Sequence, residues 1–523
     1  MSRSRLFTLA GLVLACRDPS PADATSDGSS SSTEVAATSE LPTTGATTGV
    51  DTTGVATTGT ATTGVDTTGV TTGEPELCGV PVPCPGGACT GLLRGASERT
   101  TPLDLALDPC GDILVTGTHA GPEPGLGLGP VQGETDAFVA RLDRTGAKRW
   151  GRSFGEPDNQ NEYDVAPTAI AVHPDGSIFV AGSGSSPFVV DDLACDGYAA
   201  KAFVLKLAPD GEPVWLRCHE DPPVRRVADA LVVDDHVYLA GECHDPQDFD
   251  TSFMYLARVD ATTGSMDASA CLGSGGHASF RRLARDGERL VVLGAFQGLL
   301  LFTQPLSTTD GDLVLARFDP SAWKPGETPP WDFSAQYGGP GPILADGLAR
   351  ADDGALAVVA WATPQVACDD GDGLAGDLGE YDSRALLAVF TPDDGGYART
   401  TSVCFGRNVS NEGFDVVARP DGGFTWTGYS YGEIFAAPHR LTPASPAAFV
   451  ATWVDGAGVT ATWMPEIDDD DSAYYTRLAA DSLGLVVTGA YHGDPAFFPG
   501  DDAPAVGQRL FVLQTAADLT FEP

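Results

Sequence analysis

Beyond Cys78 the apolar positions fall into short runs separated by turn residues, and one arrangement of runs recurs about every 62 residues. Each unit begins with an apolar run, a turn and a second run usually ending in Gly: LALDPCGDILVTG, IAVHPDGSIFVAG, LVVDDHVYLAG, LARDGERLVVLG, LARADDGALAVVA, VVARPDGGFTWTG and LAADSLGLVVTG. Asp-Gly, Gly-Asp and Pro-Asp-Gly supply the positive or fixed φ of a tight turn, and the flanks are rich in Val, Ile and Leu, so these are predicted hairpins. After a polar loop of variable length comes a third run in a constant register: DAFVARLD, KAFVLKLA, FMYLARVD, DLVLARFD, RALLAVFT, AAFVATWV and RLFVLQTA. A short turn leads to a fourth run, as in WGRSFG, VWLRCH, ASACLG, FSAQYGG, SVCFG and TATWMP. Four strands per unit is the anatomy of a propeller blade, and no segment carries a long 3.6-residue apolar period.

Seven hairpins and seven third strands predict an all-β, seven-bladed β-propeller with four-stranded blades over 78–523. The seventh unit ends at ADLTFEP, with little room for its last strand. CTGLLRGAS, Cys89 to Ser97, precedes the first hairpin as WGRSFG precedes the second. It is therefore expected to complete the seventh blade and join the two ends of the domain in one ring, leaving few free sheet edges.

The first 77 residues follow another pattern. MSRSRLFTLAGLVLAC sets two arginines before an apolar run from Leu6 to Ala15, the outline of a signal peptide over 1–16 and too short for a bilayer core, which needs about 20 such residues. The ending Val13-Leu14-Ala15-Cys16 resembles the lipobox of bacterial lipoproteins. That resemblance implies export and a lipid on Cys16, which would hold the chain to a membrane; a plain secretory signal cut nearby is the alternative. Arg17, where enteric lipoproteins with a residue other than Asp go to the outer membrane, points to an outer-membrane lipoprotein of the cell envelope, surface exposure being one arrangement of it. Residues 17–77 are Thr, Ser and Gly-rich with recurring TTG, offer no apolar face, and are expected to form a disordered linker spanning roughly 40–45 Å.

Composition narrows the picture further. In 523 residues, 63 Gly and 39 Pro are too many for a helical bundle, while 42% hydrophobic residues are enough for a packed core. A net charge of -42 argues against nucleic acid or an anionic membrane surface as a partner held by charge, and leaves cations and basic partners open.

The wording of the repeat resembles the SBBP (seven-bladed β-propeller) repeat of bacterial exported proteins. The matching pieces are Asp136-Ala137-Phe138-Val139-Ala140-Arg141-Leu142-Asp143, then Gly146, Trp150 and Phe154-Gly155, then Ile170-Ala171-Val172, Asp175-Gly176 and Val180-Ala181-Gly182-Ser183. Later units depart from it, with Ala360 for the strand-ending Gly and Val389 for the third-strand base. With the anchor and the Thr-Gly stalk, the chain looks like surface lipoproteins of myxobacteria. The family implies a fold, and a shared fold does not license a shared function.

Setting Cys16 aside leaves ten cysteines, an even number in a chain expected to be exported, where disulfides form. Cys195, Cys243 and Cys368 follow a second strand; Cys218, Cys271 and Cys404 lie in the fourth strand of the same unit, so each is expected to pair within its blade. Cys78, Cys84, Cys89 and Cys110 allow three pairings among themselves, or a zinc site whose spacing matches no common finger.

The loops between second and third strands and those between blades emerge on one face, and several are acidic: 156–164, 369–382, Asp468 to Asp471, and Asp501-Asp502. Asp369, Asp370, Asp372 and Asp377 form a candidate calcium (Ca2+) site, although Leu374 stands where an EF-hand has an oxygen ligand; a solvated acidic rim accounts for the same residues more simply. Gly428-Tyr429-Ser430-Tyr431-Gly432 matches G-x-S-x-G but lacks the following helix of a nucleophile elbow. His119, His244 and His492 each follow a second strand, which suits separate structural roles better than one metal site. Arg141, Lys206, Arg258 and Arg317 recur at one register and are expected to be solvated or paired with nearby Asp. No catalytic residue is assigned and no cofactor is predicted. The leading functional expectation is a non-catalytic binding module for an extracellular protein or glycan. The rivals are an extracellular glycan hydrolase or lyase with carboxylates on the loop face, and a structural component of the envelope.

Overall fold

The computed structural model describes 93–94 and 99–515, apart from the loop segments 156–164, 369–382, 407–409, 442–446, 464–471 and 493–507 and scattered loop positions of one or two residues. It contains seven four-stranded antiparallel sheets, over 101–154, 165–219, 224–272, 278–337, 343–405, 411–463 and 472–515, numbered here as blades 1 to 7. Among the described residues the helical element is one 3-10 turn, Pro320–Ala322, with Asp319 capping its start. The expectation of a propeller thus holds in class, blade number and strand count.

The first strands of successive blades touch each other around the ring, and that of blade 7 meets that of blade 1, so the first strand is the inner one. The fourth strand of blade 7 is Leu93–Arg94, paired antiparallel with the C-terminal strand Gln508–Thr515 through Leu93 opposite Val512 and Arg94 opposite Phe511. Blade 7 is therefore completed from the segment 89–97, as the repeat count requires, and the ring is closed by main-chain hydrogen bonds between the two ends of the domain.

There is no single central core. The buried apolar side chains form seven clusters, one in each wedge between neighbouring blades. This explains why the middle strands read as continuous apolar runs. Ile178–Gly184 and the neighbouring Lys201–Leu207 are buried at nearly every position, because each sheet is covered by a blade on both faces. The outer strands, such as Lys148–Phe154, are covered less and carry the polar residues.

A β-bulge interrupts the pairing of the inner with the second strand in all seven blades, between Pro102 and Asp104 in blade 1, Val227 and Asp229 in blade 3, and Tyr474 and Arg477 in blade 7. Bulges bend a strand and re-aim its side chains. The recurrent Gly of the second strand makes room for this one: a Cβ on Gly182 would lie 2.0 Å from the Ala166 carbonyl oxygen and 2.7 Å from the Phe203 ring. A second bulge recurs between third and outer strands in blades 1 to 6, just after the position of Arg141.

Candidate functional site: the axial channel

The inner-strand bulges bring ionisable side chains of different blades together around the axis. Asp104 of blade 1 interacts electrostatically with Arg282 of blade 4, Arg477 of blade 7 and Asp415 of blade 6, which opposite blades manage only across a central channel. Asp229 and Arg226 of blade 3, Arg281 of blade 4 and Asp346 of blade 5 belong to the same group. None of these residues was singled out in the sequence. Their one mark in the sequence is a charged residue inside the apolar stretch of six of the seven inner strands, as in RRVADALVV and FRRLARD, which does not say where the side chain points; the inner strand of blade 2, VAPTAIAV, carries none.

Several of these groups tie blades to one another. The carboxylate of Asp104 accepts from the Ile170 N–H of blade 2 at 2.8 Å, that of Asp229 from the Leu283 N–H of blade 4 at 2.7 Å, and that of Asp415 from the Leu478 N–H of blade 7 at 2.8 Å. In the opposite direction, Arg282 donates to the Ala228 carbonyl of blade 3 at 3.1 Å and Arg477 to the Leu103 carbonyl of blade 1 at 3.0 Å. Thr168 donates to the Val227 carbonyl. The bulge leaves main-chain groups unpaired within a blade, and the neighbouring blade satisfies them.

The channel walls withhold bulk water, so burial pushes the Asp229 carboxyl up to about 7 against the opposing pull of Arg282. Burial likewise raises Asp104, Asp346 and Glu412. Arg226 has an exposed surface, yet its guanidinium is lowered to about 10, by burial and then by Arg281. The two facts agree if its surface faces a narrow water column walled by protein rather than open solvent.

A different clasp binds the blades on the side of the turns between third and outer strands. The base at one register of each third strand reaches the next blade: Arg141 donates to the Pro209 carbonyl at 2.6 Å, Lys206 to Ala261 at 3.0 Å, Arg258 to Pro320 at 2.9 Å and Arg317 to Gly395 at 3.1 Å. Arg141 also holds Asp108 and, at 2.9 Å, Asp112; Arg317 holds Asp332 at 2.9 Å. Solvation or pairing with Asp was the expectation; pairing holds for Arg141 and Arg317, and the structure adds the inter-blade carbonyl, which the sequence does not reveal because the partner lies a whole unit away.

On the opposite face the structure pairs Cys195 with Cys218, Cys243 with Cys271 and Cys368 with Cys404; Cys195 and Cys368 lie in the connection between second and third strands, whereas Cys243 lies within its second strand, His236–Asp245, and not after it, and each is tied to the outer strand of its own blade. Cys110, in the first hairpin turn, is also disulfide-bonded, and its partner lies outside the described residues together with Cys78, Cys84, Cys89 and Cys16. Asp369, Asp370, Asp372 and Asp377 lie outside the described residues too, as do the other acidic loop segments. Among the described residues no group of three or more His, Cys, Asp or Glu could hold a metal ion. A groove of about 600 Å³ beside the second disulfide-bearing strand is lined by Cys218, His219, Glu220 and Asp267, with His219 lowered by burial and by Arg217.

Of the remaining candidates, His119, His244 and His492 lie within their second strands and not past them, and His119 and Ser430 have structural partners. His119 is buried, its Nδ1 2.6 Å from the Gly121 carbonyl and its Nε2 2.7 Å from Ser153 Oγ, which in turn donates to Asp136 at 3.1 Å; burial lowers its imidazole. Ser430 ends a strand, is fully buried and donates to Asn411. It does not stand on a turn before a helix, so G-x-S-x-G is not a nucleophile elbow here.

No family model and no curated protein matches the chain. Among solved structures it is similar to an ulvan lyase of a polysaccharide lyase family, at 10% identity and a TM-score of 0.46 over 83% of this chain and 96% of that one. It is similar to the WD40 β-propeller domain of Doa1 at 8% identity and 0.38, covering 82% and 97%. It also matches an acylaminoacyl peptidase of Pyrococcus horikoshii at 11% and 0.38, covering 75% of this chain and 49% of that one. Likenesses this distant carry nothing about activity; the propeller assignment rests on the strand pairing described above.

Proposed function

We propose that the chain is an exported lipoprotein, tethered to the envelope through Cys16, whose propeller acts as a non-catalytic binding module for an extracellular ligand. The observation that carries this reading is the engagement of Asp104, Asp229 and Asp415 by main-chain N–H groups of neighbouring blades. A general acid or base must be free to exchange a proton with a substrate, and these three carboxylates instead hold the ring together, which leaves Asp346 and Glu412 as the axial positions where turnover would have to arise. The disulfides that close three connections on the loop face support both export and a rigid presenting surface.

Two measurements test it. Mass spectrometry of the N-terminal peptide from the full-length chain is expected to find a diacylated Cys16, and Cys16→Ser is expected to release the protein from the membrane fraction. The full chain, extracted in detergent, is then titrated against arrayed neutral and acidic glycans and incubated with each; saturable binding with the glycan recovered intact supports the module, whereas cleaved glycan replaces it with a lyase or hydrolase.

A further inference from the structure

Four ionisable side chains at the axis are not part of the inter-blade clasps. Arg226, Arg281, Asp346 and Glu412 interact electrostatically with the axial group, but among the described residues none of their side chains makes a hydrogen bond, and the Arg281 Nε is buried without a partner. They come from consecutive blades. Arg226 belongs to blade 3, Arg281 to blade 4, Asp346 to blade 5 and Glu412 to blade 6.

The strand registers place them on two adjoining levels. Arg226, Leu344 and Glu412 each stand one residue before the one that faces the second-strand Gly or its replacement Ala360, and Arg281 and Asp346 are the bulged residues just beyond. At these two levels the unclasped charges are thus basic over blades 3 and 4 and acidic over blades 5 and 6, Asp229 of blade 3 lying just past the bulge, and Leu344, 43% exposed, lies in the acidic half at the first level. Among the described residues none of the four side chains has a hydrogen-bond partner, the Arg281 Nε is buried without one, and burial has shifted the other three groups.

We propose that this arc binds a zwitterion, a free α-amino acid with an apolar side chain. Its carboxylate lies against the forks of Arg226 and Arg281, its ammonium against Asp346 and Glu412, and its side chain against Leu344. Charge decides between this and other ligands. A polyanion meets the field of a chain with net charge -42, and a polycation meets two unpaired guanidiniums, whereas a zwitterion is neutral overall and complementary in its dipole. Neutral sugars offer hydroxyls, and hydrogen bonds between ionised partners are roughly twice as strong as neutral ones. The inference rests on the reading of the propeller as a binding module and names the ligand of its channel.

The test uses the full chain and the twenty protein amino acids, added singly at millimolar concentration, with melting temperature as the first readout and calorimetric titration as the second. At least one apolar amino acid is expected to raise the melting temperature, and its N-acetyl and carboxamide derivatives, each lacking one charge, to bind at least about tenfold more weakly. Arg226→Gln and Glu412→Gln are expected to weaken binding by about ten- to a hundredfold while melting unliganded like the parent, since neither side chain hydrogen-bonds within the fold. Binding by none of the twenty, equal binding of the blocked derivatives, or binding that survives both variants overturns the proposal. If glycan binding persists in that case, the module reading stands without this ligand; if a glycan is cleaved, the module reading fails on its own account.

Discussion

The carboxylate of Asp229 in blade 3 accepts a hydrogen bond from the main-chain N–H of Leu283 in blade 4 at 2.7 Å, across the gap that the inner-strand bulge opens. The same contact joins blade 1 to blade 2 and blade 6 to blade 7. A carboxylate serves here as the mortar between sheets, and it does so in surroundings that resist its charge.

That tension has a pH signature. The folded-state carboxyl of Asp229 is raised to about 7, above its ordinary value of 3.8, so the native state binds more protons than the unfolded state between those values. Its contribution therefore falls as pH rises from about 4 to about 7 and is lost above that, by an amount on the order of a few kcal/mol. Asp229→Asn keeps an acceptor for Leu283 and removes the titration. Urea unfolding at a series of pH values is expected to give a difference between variant and parent that moves in favour of the variant across this window; a constant difference would count against the charged clasp.

The clasp on the other side of the ring is expected to be unequal. Arg141→Ala leaves Asp108, whose side chain is 4% exposed, without its cation and Asp112 with Arg149 alone at 3.4 Å, and should cost about 3 kcal/mol. Lys206→Ala removes one bond to a carbonyl and a ring contact at 5.4 Å, and should cost about 1–2 kcal/mol. Chemical denaturation ranks the two, and the reverse order would mean that the carboxylates are stable without Arg141.

Two glycines separate crowding from backbone conformation. Gly182→Ala places a methyl 2.0 Å from a carbonyl oxygen and should lose several kcal/mol or fail to fold. Gly395→Ala has open space around it and a φ of 92°, so its loss is the backbone strain alone, about 1–2 kcal/mol. Circular dichroism melts of both variants measure the contrast.

Each disulfide closes a loop of 23, 28 or 36 residues. In the chain-entropy description, replacing both cysteines of a pair by Ala lowers stability by about 3–4 kcal/mol, with little dependence on which pair is removed. Alkylation and peptide mass mapping without reductant are expected to recover the three pairs, and a mixed pattern would mean that blades exchange partners.

Much of this architecture was legible from periodicity. Hairpins such as IAVHPDGSIFVAG carry strand propensity and turn residues together, and the missing strand of blade 7 followed from counting units. The cysteine pairs followed as well, because both members recur at fixed places in one unit. The axial group was not legible. A lone Asp or Arg in an apolar strand, such as Asp104 or Arg477, is locally indistinguishable from a solvated one, and only the bulge turns it inward.

The sequence by itself determined the repeating unit, because alternating propensity, turn chemistry and spacing act within about 62 residues of chain. What only the tertiary structure decided are the relations between units: Arg317 with Gly395, Asp415 with Leu478, and the arc from Arg226 to Glu412. Those depend on how far each blade turns about the axis and on where a bulge redirects a side chain, and neither is written in the neighbourhood of any one residue.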